Sequence, residues 1–143
     1  MNPLSAAKKY FSLARDERRL VEEAIVVLGA TRVMLWTLPL KRLNSIAESM
    51  GRARVSPDRA GSRETIVRAV ERASNAIPAA NNCLVRAIAA QIMLARRGID
   101  AELKIGVAHP SDGFKAHAWL ECAGEVVIGD FAPGEYFTLG RVG

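Results

Sequence analysis

Three residues of this sequence could do covalent chemistry together: Cys83, His117 and Asp130. A thiol is a useful nucleophile only as its thiolate. A helix N-terminus favours that charge, because its backbone N–H groups are unpaired. The residue pattern places Cys83 at such a helix start. A neighbouring imidazole can take the thiol proton and later return it to a leaving amine. A carboxylate can then fix the orientation and tautomer of the imidazole. Chemistry of this kind is acyl transfer through a thioester.

Hairpin arithmetic links the second and third residues. If Ala123 and Gly124 form a two-residue turn, Cys122 faces Glu125 and paired positions sum to 247. His117 and Asp130 also sum to 247, so an unbulged hairpin makes them direct cross-strand neighbours. Directly opposed side chains have Cβ atoms about 5 Å apart, within reach of a carboxylate–imidazole contact. Each residue taken alone has an ordinary structural reading as well. A lone Cys on an apolar helix is commonly a small buried hydrophobe. A strand His can be a satisfied core residue, and Asp130 after Gly129 can be a turn residue. The order helix start, strand, next strand is what favours a catalytic trio.

Other groups carry less. Cys122 points away from His117 by strand alternation, and Trp119 shares the face of His117. Trp119 could line a substrate groove or belong to the core. His109 lies beside Pro110 in a loop, near Asp112. Nothing supports a Cys83–Cys122 disulfide, and Met34 and Trp36 read as core. The oxyanion of an acyl-transfer intermediate needs donors. The Cys83 backbone N–H is one candidate, and the side chain of Asn82 or Asn81 is another. No Gly-rich phosphate loop, paired-carboxylate motif or metal-binding motif is present. Two histidines and two cysteines argue against a four-ligand zinc site, so neither a metal nor another cofactor is expected.

The elements that must position these residues can be read from periodicity. Asp16 can cap a helix running to about Trp36 through Leu20, Val21, Ala24, Ile25, Val27 and Leu28. Pro39 breaks it, and a shorter helix runs from Leu40 to Met50 and ends at Gly51. Arg52 to Gly61 reads as a loop. Ser62 caps a helix through Ile66, Val67, Val70 and Ala73, which Ile77-Pro78 ends. A further helix starts near Asn82-Cys83 and stops at Arg96-Arg97-Gly98, with cations in its last turn. The period then becomes two: Leu103, Ile105 and Val107 mark a strand, and Ala116–Cys122 and Glu125–Ile128 mark two more. Phe131 to Gly143 is a short tail rich in Gly and aromatics. The expected architecture is α+β, with N-terminal helices followed by a small antiparallel sheet packed on the Cys83 helix.

Size and charge bound the rest. The chain has 143 residues, half of them apolar, which is about one domain. We therefore expect a single domain over 1–143, with a helical basic region over 1–77 and the catalytic helix and strands over 78–143. No apolar run approaches the ~18 residues of a membrane span, and the start is not a signal peptide, so cytoplasm is the expected location. Two cysteines are too few for a disulfide framework. Residues 1–72 hold 14 Lys/Arg against 8 Asp/Glu, whereas residues 73–143 hold 6 against 7. A basic half can favour an acidic partner or nucleic acid, but spread charges more simply make a solvated helix surface.

The stretches Cys83-Leu84-Val85-Arg86-Ala87, Gly98-Ile99-Asp100-Ala101, Ile105-Gly106-Val107 and Phe114-Lys115-Ala116-His117-Ala118-Trp119-Leu120-Glu121 resemble the leader peptidases of lasso-peptide biosynthesis. These are small cysteine proteases with a transglutaminase-like, papain-like core. Arg15 to Ala30 and the Leu38-Pro39-Leu40 break match them in character. The specific part of the resemblance runs from Cys83 to Asp130. It implies a nucleophile at Cys83, a general base at His117 and an orienting acid at Asp130. The implied reaction cuts a ribosomal precursor peptide between leader and core. A separate ATP-dependent cyclase then joins the freed core amine to an Asp or Glu side chain. The chain begins directly in the peptidase region, which resembles the split form that works with a separate leader-recognition protein. Leaders of this family usually have threonine next to last, which implies a pocket for it.

Two other classes stay open at this point. Transglutaminases, arylamine acetyltransferases and peptide amidases use Cys, His and Asp in the same order and differ only in acyl donor and acceptor. A non-enzymatic module could instead bind through Arg52, Arg54, Arg59 and Arg63. Only eight aromatics occur in the chain, and none interleaves with those arginines, so base stacking has little support.

Overall fold

The computed structural model describes residues 3–52, 62–77, 82–108, 113, 115–129 and 137–141. The described residues form five helices and four strands. The helices are α1 (Pro3–Phe11), α2 (Arg15–Thr37), α3 (Leu40–Arg52), α4 (Arg63–Ala76) and α5 (Cys83–Ala95). The strands are β1 (Glu102–Ala108), β2 (Lys115–Cys122), β3 (Glu125–Ile128) and β4 (Phe137–Arg141), in the sheet order β3-β2-β1-β4. All pairs are antiparallel, so the α+β architecture expected from the sequence is the one observed. Residues 53–61 of the expected loop, with Arg54 and Arg59, lie outside the described residues.

Helix α5 sits at the centre. From Val85 to Leu94 only Arg86 is not fully buried, so the helix is sheathed nearly all round. Such a helix must be covered on every side. Helices α2, α3 and α4 cover one side and the sheet, chiefly β2, covers the other. The core joins Leu20, Leu28 and Val70 of the helical side to Leu103, Leu120 and Ile128 of the sheet. Fully burying each such side chain is worth about 1.5–3 kcal/mol. Gln91, buried on α5, donates to the Oδ1 of Asn44 on α3 at 3.0 Å and so fixes the register of those two helices.

The ends of the helices follow local chemistry with one exception. Leu38 before Pro39 is extended and closes α2, and α3 restarts at Leu40. Ser62 accepts the Thr65 N–H and caps α4. Asp16 does not cap α2: Ala14 holds the N-cap position without a side-chain bond, and Asp16 and Glu17 lie in the first turn. The physical reason is tertiary. Arg18 donates to the Phe11 carbonyl at 3.0 Å and lies over the rings of Tyr10 and Phe11, which ties the start of α2 back to α1. Trp36 and Ile25, read as inward from the sequence, are 79% and 39% exposed, whereas Met34 packs against the core. Helix α3 runs through Gly51 to Arg52, one turn position beyond the expected stop.

Two predictions follow from this packing. Glu23 on α2 is clamped by Arg96 at 2.9 Å and by Arg97 at 2.7 Å, at the far end of α5. These groups are shielded enough for charge-assisted bonds to count, so Glu23→Ala should lower stability by about 2–3 kcal/mol in urea unfolding. An unchanged midpoint would show the clamp to be ornamental. Ala123 occupies the hairpin turn at φ +50°, followed by Gly124 at φ +82°. This is the two-residue turn with both φ values positive, which favours Asn-Gly and disfavours Ala-Gly. Ala123→Asn should therefore raise stability by about 0.5–1 kcal/mol, read as an increase in Tm.

Candidate active site

The nucleophile candidate is placed by the start of α5. Cys83 is its first residue, and Asn82 before it accepts the Leu84 N–H on its Oδ1 at 2.9 Å. That cap satisfies one amide and leaves the N–H of Cys83 without an intrahelical acceptor, as helix geometry requires. The thiol is half-buried at the rim of the core and is not in a disulfide. Cys122 is also a free thiol, but burial pushes its pKa up and keeps it protonated. The Asn82 side chain serves the cap through its oxygen, so a role as donor falls to its Nδ2.

His117 is on β2, the strand that packs directly on α5. Its cross-strand neighbour on β1 is Gly106, so no opposed side chain crowds the ring. Its Nε2 lies 3.2 Å from the carbonyl oxygen of Gly129. Among the described residues no hydrogen bond joins Cys83 to His117; the fold brings their two elements together.

The register expected for the β2–β3 hairpin holds only near its turn. Cys122 faces Glu125 and Glu121 faces Val126, as the sum of 247 requires. Beyond them Leu120 faces Ile128, because the register shifts and Val127 is an extra residue. Val127 and Ile128 both pack on the core, Ile128 completely. Successive strand residues point to opposite faces, so two neighbours can share one face only through a bulge. The direct pairing of His117 with Asp130 therefore does not follow, and a described group that meets the imidazole is the Gly129 carbonyl. Asp130, His109, Asp112 and Asn81 lie outside the described residues.

Trp119 is 2% exposed. It stands on the face of His117, and the two rings are stacked with centroids 6.4 Å apart. Its indole N–H donates to Glu121 at 2.9 Å, and the other Glu121 oxygen takes Lys104 at 2.8 Å. Lys104, Glu121 and Trp119 thus form a polar strut along the face that carries His117. The sequence did not single out Glu121, Lys104 or Gly129. The available signals were the period-two set His117, Trp119 and Glu121 and a glycine directly after a strand. Arg63, one of the basic residues considered for nucleic-acid contact, is paired with Glu64 and Glu125. Among the described residues no group of three or more His, Cys, Asp or Glu is arranged to hold a metal ion. No helix among them is long and apolar enough to cross a membrane.

The strut has a pH signature. The hydrogen bond from Lys104 holds the Glu121 carboxyl below its usual pKa of 4.5; burial opposes this and the Trp119 bond assists. A depressed folded-state pKa gives stability that is present above 4.5 and is lost as pH falls through the folded value. Glu121→Gln should therefore cost about 1 kcal/mol at pH 7. The difference from wild type should vanish in acid, read as Tm against pH. A gap that stays constant with pH would mean that packing, not charge, holds the strut.

No curated protein and no solved structure matches the chain. A family model does match it, that of the transglutaminase-like superfamily, over residues 25–140. This span begins within α2, includes α5, β1, β2, β3, Cys83, His117 and Asp130, and ends within β4. The superfamily includes cysteine peptidases and acyltransferases. The chain belongs to the transglutaminase-like superfamily.

Proposed function

We propose that this chain is a cysteine peptidase that removes the leader from a ribosomally made lasso-peptide precursor. The observation that carries the peptidase reading is the position of Cys83: first residue of a capped helix, half-buried, on the helix that packs against the strand of His117. The leader-peptidase reading is supported by the residue resemblance between Cys83 and Asp130. In this reading the Cys83 thiolate attacks the carbonyl of the last leader residue and His117 holds the proton. The oxyanion is met by the Cys83 N–H, with Asn82 Nδ2 as the second donor. The C–N bond breaks as His117 gives its proton to the core amine, leaving a thioester. Water, deprotonated by His117, then cleaves the thioester and regenerates the thiol. Asp130 orients the imidazole. A separate leader-recognition protein delivers the precursor, and a separate cyclase uses the freed amine.

The experiment has two stages. The protein is treated with iodoacetamide from pH 5 to 9, and labelling is located by peptide mass with Cys122 as internal control. Cys83 should label fast at pH 6, and His117→Ala should slow it. Labelling only above about pH 8.5, as for an ordinary thiol, would count against an activated nucleophile. Precursor peptide is then added with the leader-recognition protein. Wild type should yield leader and core, and Cys83→Ser should lose about 10⁴-fold or more. An adduct with an added amine in place of hydrolysis would reassign the chain as an acyltransferase.

A further inference from the structure

The outward face of α2 is apolar where a helix surface is ordinarily charged. Ile25, Val26, Val33 and Trp36 are 39%, 70%, 62% and 79% exposed, and Gly29 and Ala30 between them are exposed as well. Helical periodicity puts these six in one arc, so they form a continuous stripe. None of them is charged, whereas Arg15, Arg19 and Glu22 occupy the same arc nearer the start of α2. A Cβ added to Gly29 would meet nothing within 4 Å, so no packing inside the chain calls for a glycine there. A glycine in the middle of a helix costs stability relative to alanine; what it offers is room for another backbone to approach closely. Val26 and Val33 stand symmetrically about the Gly29-Ala30 pair. A stripe that reads alike from both ends is self-complementary across a two-fold axis, as an isologous interface requires. The charges agree. Helix α2 has Arg15, Arg18, Arg19 and Arg32 against Asp16, Glu17, Glu22 and Glu23, so it is neutral within a chain of net charge +5. Two copies of α2 therefore meet without net repulsion, and antiparallel order also opposes their helix dipoles.

We propose that this stripe docks a second copy of the chain, α2 against α2 in antiparallel order, with Gly29 and Ala30 at the two-fold axis. The inference is independent of the peptidase reading. Val26 of each copy packs on the partner's Val33, and the small residues at the axis let the helices approach to about 8 Å. Trp36, with the Arg32 guanidinium 5.6 Å over its ring, lies against the partner's turn from Glu22 to Val26. Its indole N–H finds an acceptor there in the Glu22 carboxylate. Over about 25 Å of helix the pair removes on the order of 1,000 Å² from water, the lower edge of a specific interface. The dimer is therefore weak and reversible, with a Kd on the order of 10–100 μM.

The test is sedimentation equilibrium of the whole chain from about 1 to 300 μM, a range that brackets such a Kd. The mass should rise from 15.5 kDa towards twice that value. Trp119 is 2% exposed, so acrylamide quenching of tryptophan fluorescence reads Trp36, which should become protected as the mass rises. Val33→Glu should weaken association at least tenfold and leave the Tm of the dilute protein unchanged, because Val33 touches little of its own chain. Gly29→Leu should move two readouts in opposite directions. It should leave the dilute protein at least as stable, by helix propensity, and still weaken association at least tenfold. Orientation is read by oxidative cross-linking in a Cys83→Ser background, in which the remaining Cys122 is buried. A mixture of Val26→Cys and Val33→Cys proteins should form a disulfide-linked dimer, and neither should do so alone. A chain that stays monomeric at about 300 μM overturns the proposal and leaves the face to a different protein. A Val33→Glu variant that associates like wild type, or a mass that doubles without protecting Trp36, overturns it by placing the interface elsewhere. Val26→Cys that cross-links to itself overturns the antiparallel order.

Discussion

Everything in this structure answers to the need to bury α5. Its residues from Val85 to Leu94 are apolar on almost every side, with Gln91 as the one buried polar exception. No single neighbour can cover such a helix. Three helices and a sheet are required, which is why a short α+β chain places α2, α3 and α4 before α5 and the sheet. The same enclosure explains where chemistry can occur. The flank of α5 is sealed, so the backbone groups that stay available are those at its start. There the N–H of Cys83 and the partial positive charge of the helix dipole reach the surface beside an exposed Asn82 cap. The opposite end is closed by Arg96 and Arg97 on Glu23, which leaves the helix with one open terminus.

Core burial also settles the geometry around His117. The hairpin could keep its simple register and turn one of Val127 and Ile128 outward. It bulges instead and packs both on the core. Burying an isoleucine is worth about 1.5–3 kcal/mol, against about 1 kcal/mol for a disturbed ladder bond, so the bulge wins. Its consequence lies one residue further on. The chain leaves the ladder at Gly129, with a backbone that only glycine can bring so close to Ala118 and Trp119. An apolar preference two residues away thus decides which polar group meets the imidazole.

Much of this was legible in the sequence, and the reasons differ by element. Local signals with one physical cause were sufficient for Ser62 capping α4, Pro39 ending α2 and Ala123-Gly124 turning the hairpin. Periodicity placed β3 at Glu125–Ile128 and the start of α5 at Cys83. Where two signals competed, the sequence was misleading. Asp16 has the chemistry of a cap, but Arg18 binding back onto α1 fixes the helix start instead. Trp36 has the chemistry of core, but Met34, Leu35 and Leu38 pack inward at that end of α2 and leave Trp36 on the solvent side. Strand β4 gave no signal, because a glycine and a five-residue length leave no alternation to detect. The bulge was illegible because it depends on how much room the core has, which no local pattern states.

The site candidates divide along the same line. Residue types mark Cys83 and His117, since few side chains can attack a carbonyl or shuttle a proton near neutral pH. The described groups set beside them are largely backbone: the N–H at the start of α5 and the carbonyl of Gly129. Backbone groups have no residue type to read, and a glycine in a loop is ordinary until its φ and its neighbours are known. This places a physical limit on reading catalysis from sequence in the transglutaminase-like frame. Candidates for a nucleophile and a base can be found by chemistry. The backbone groups set beside them are properties of where the chain is forced to run. In this chain those paths are forced by the burial of α5 and by the hairpin bulge that completes the core.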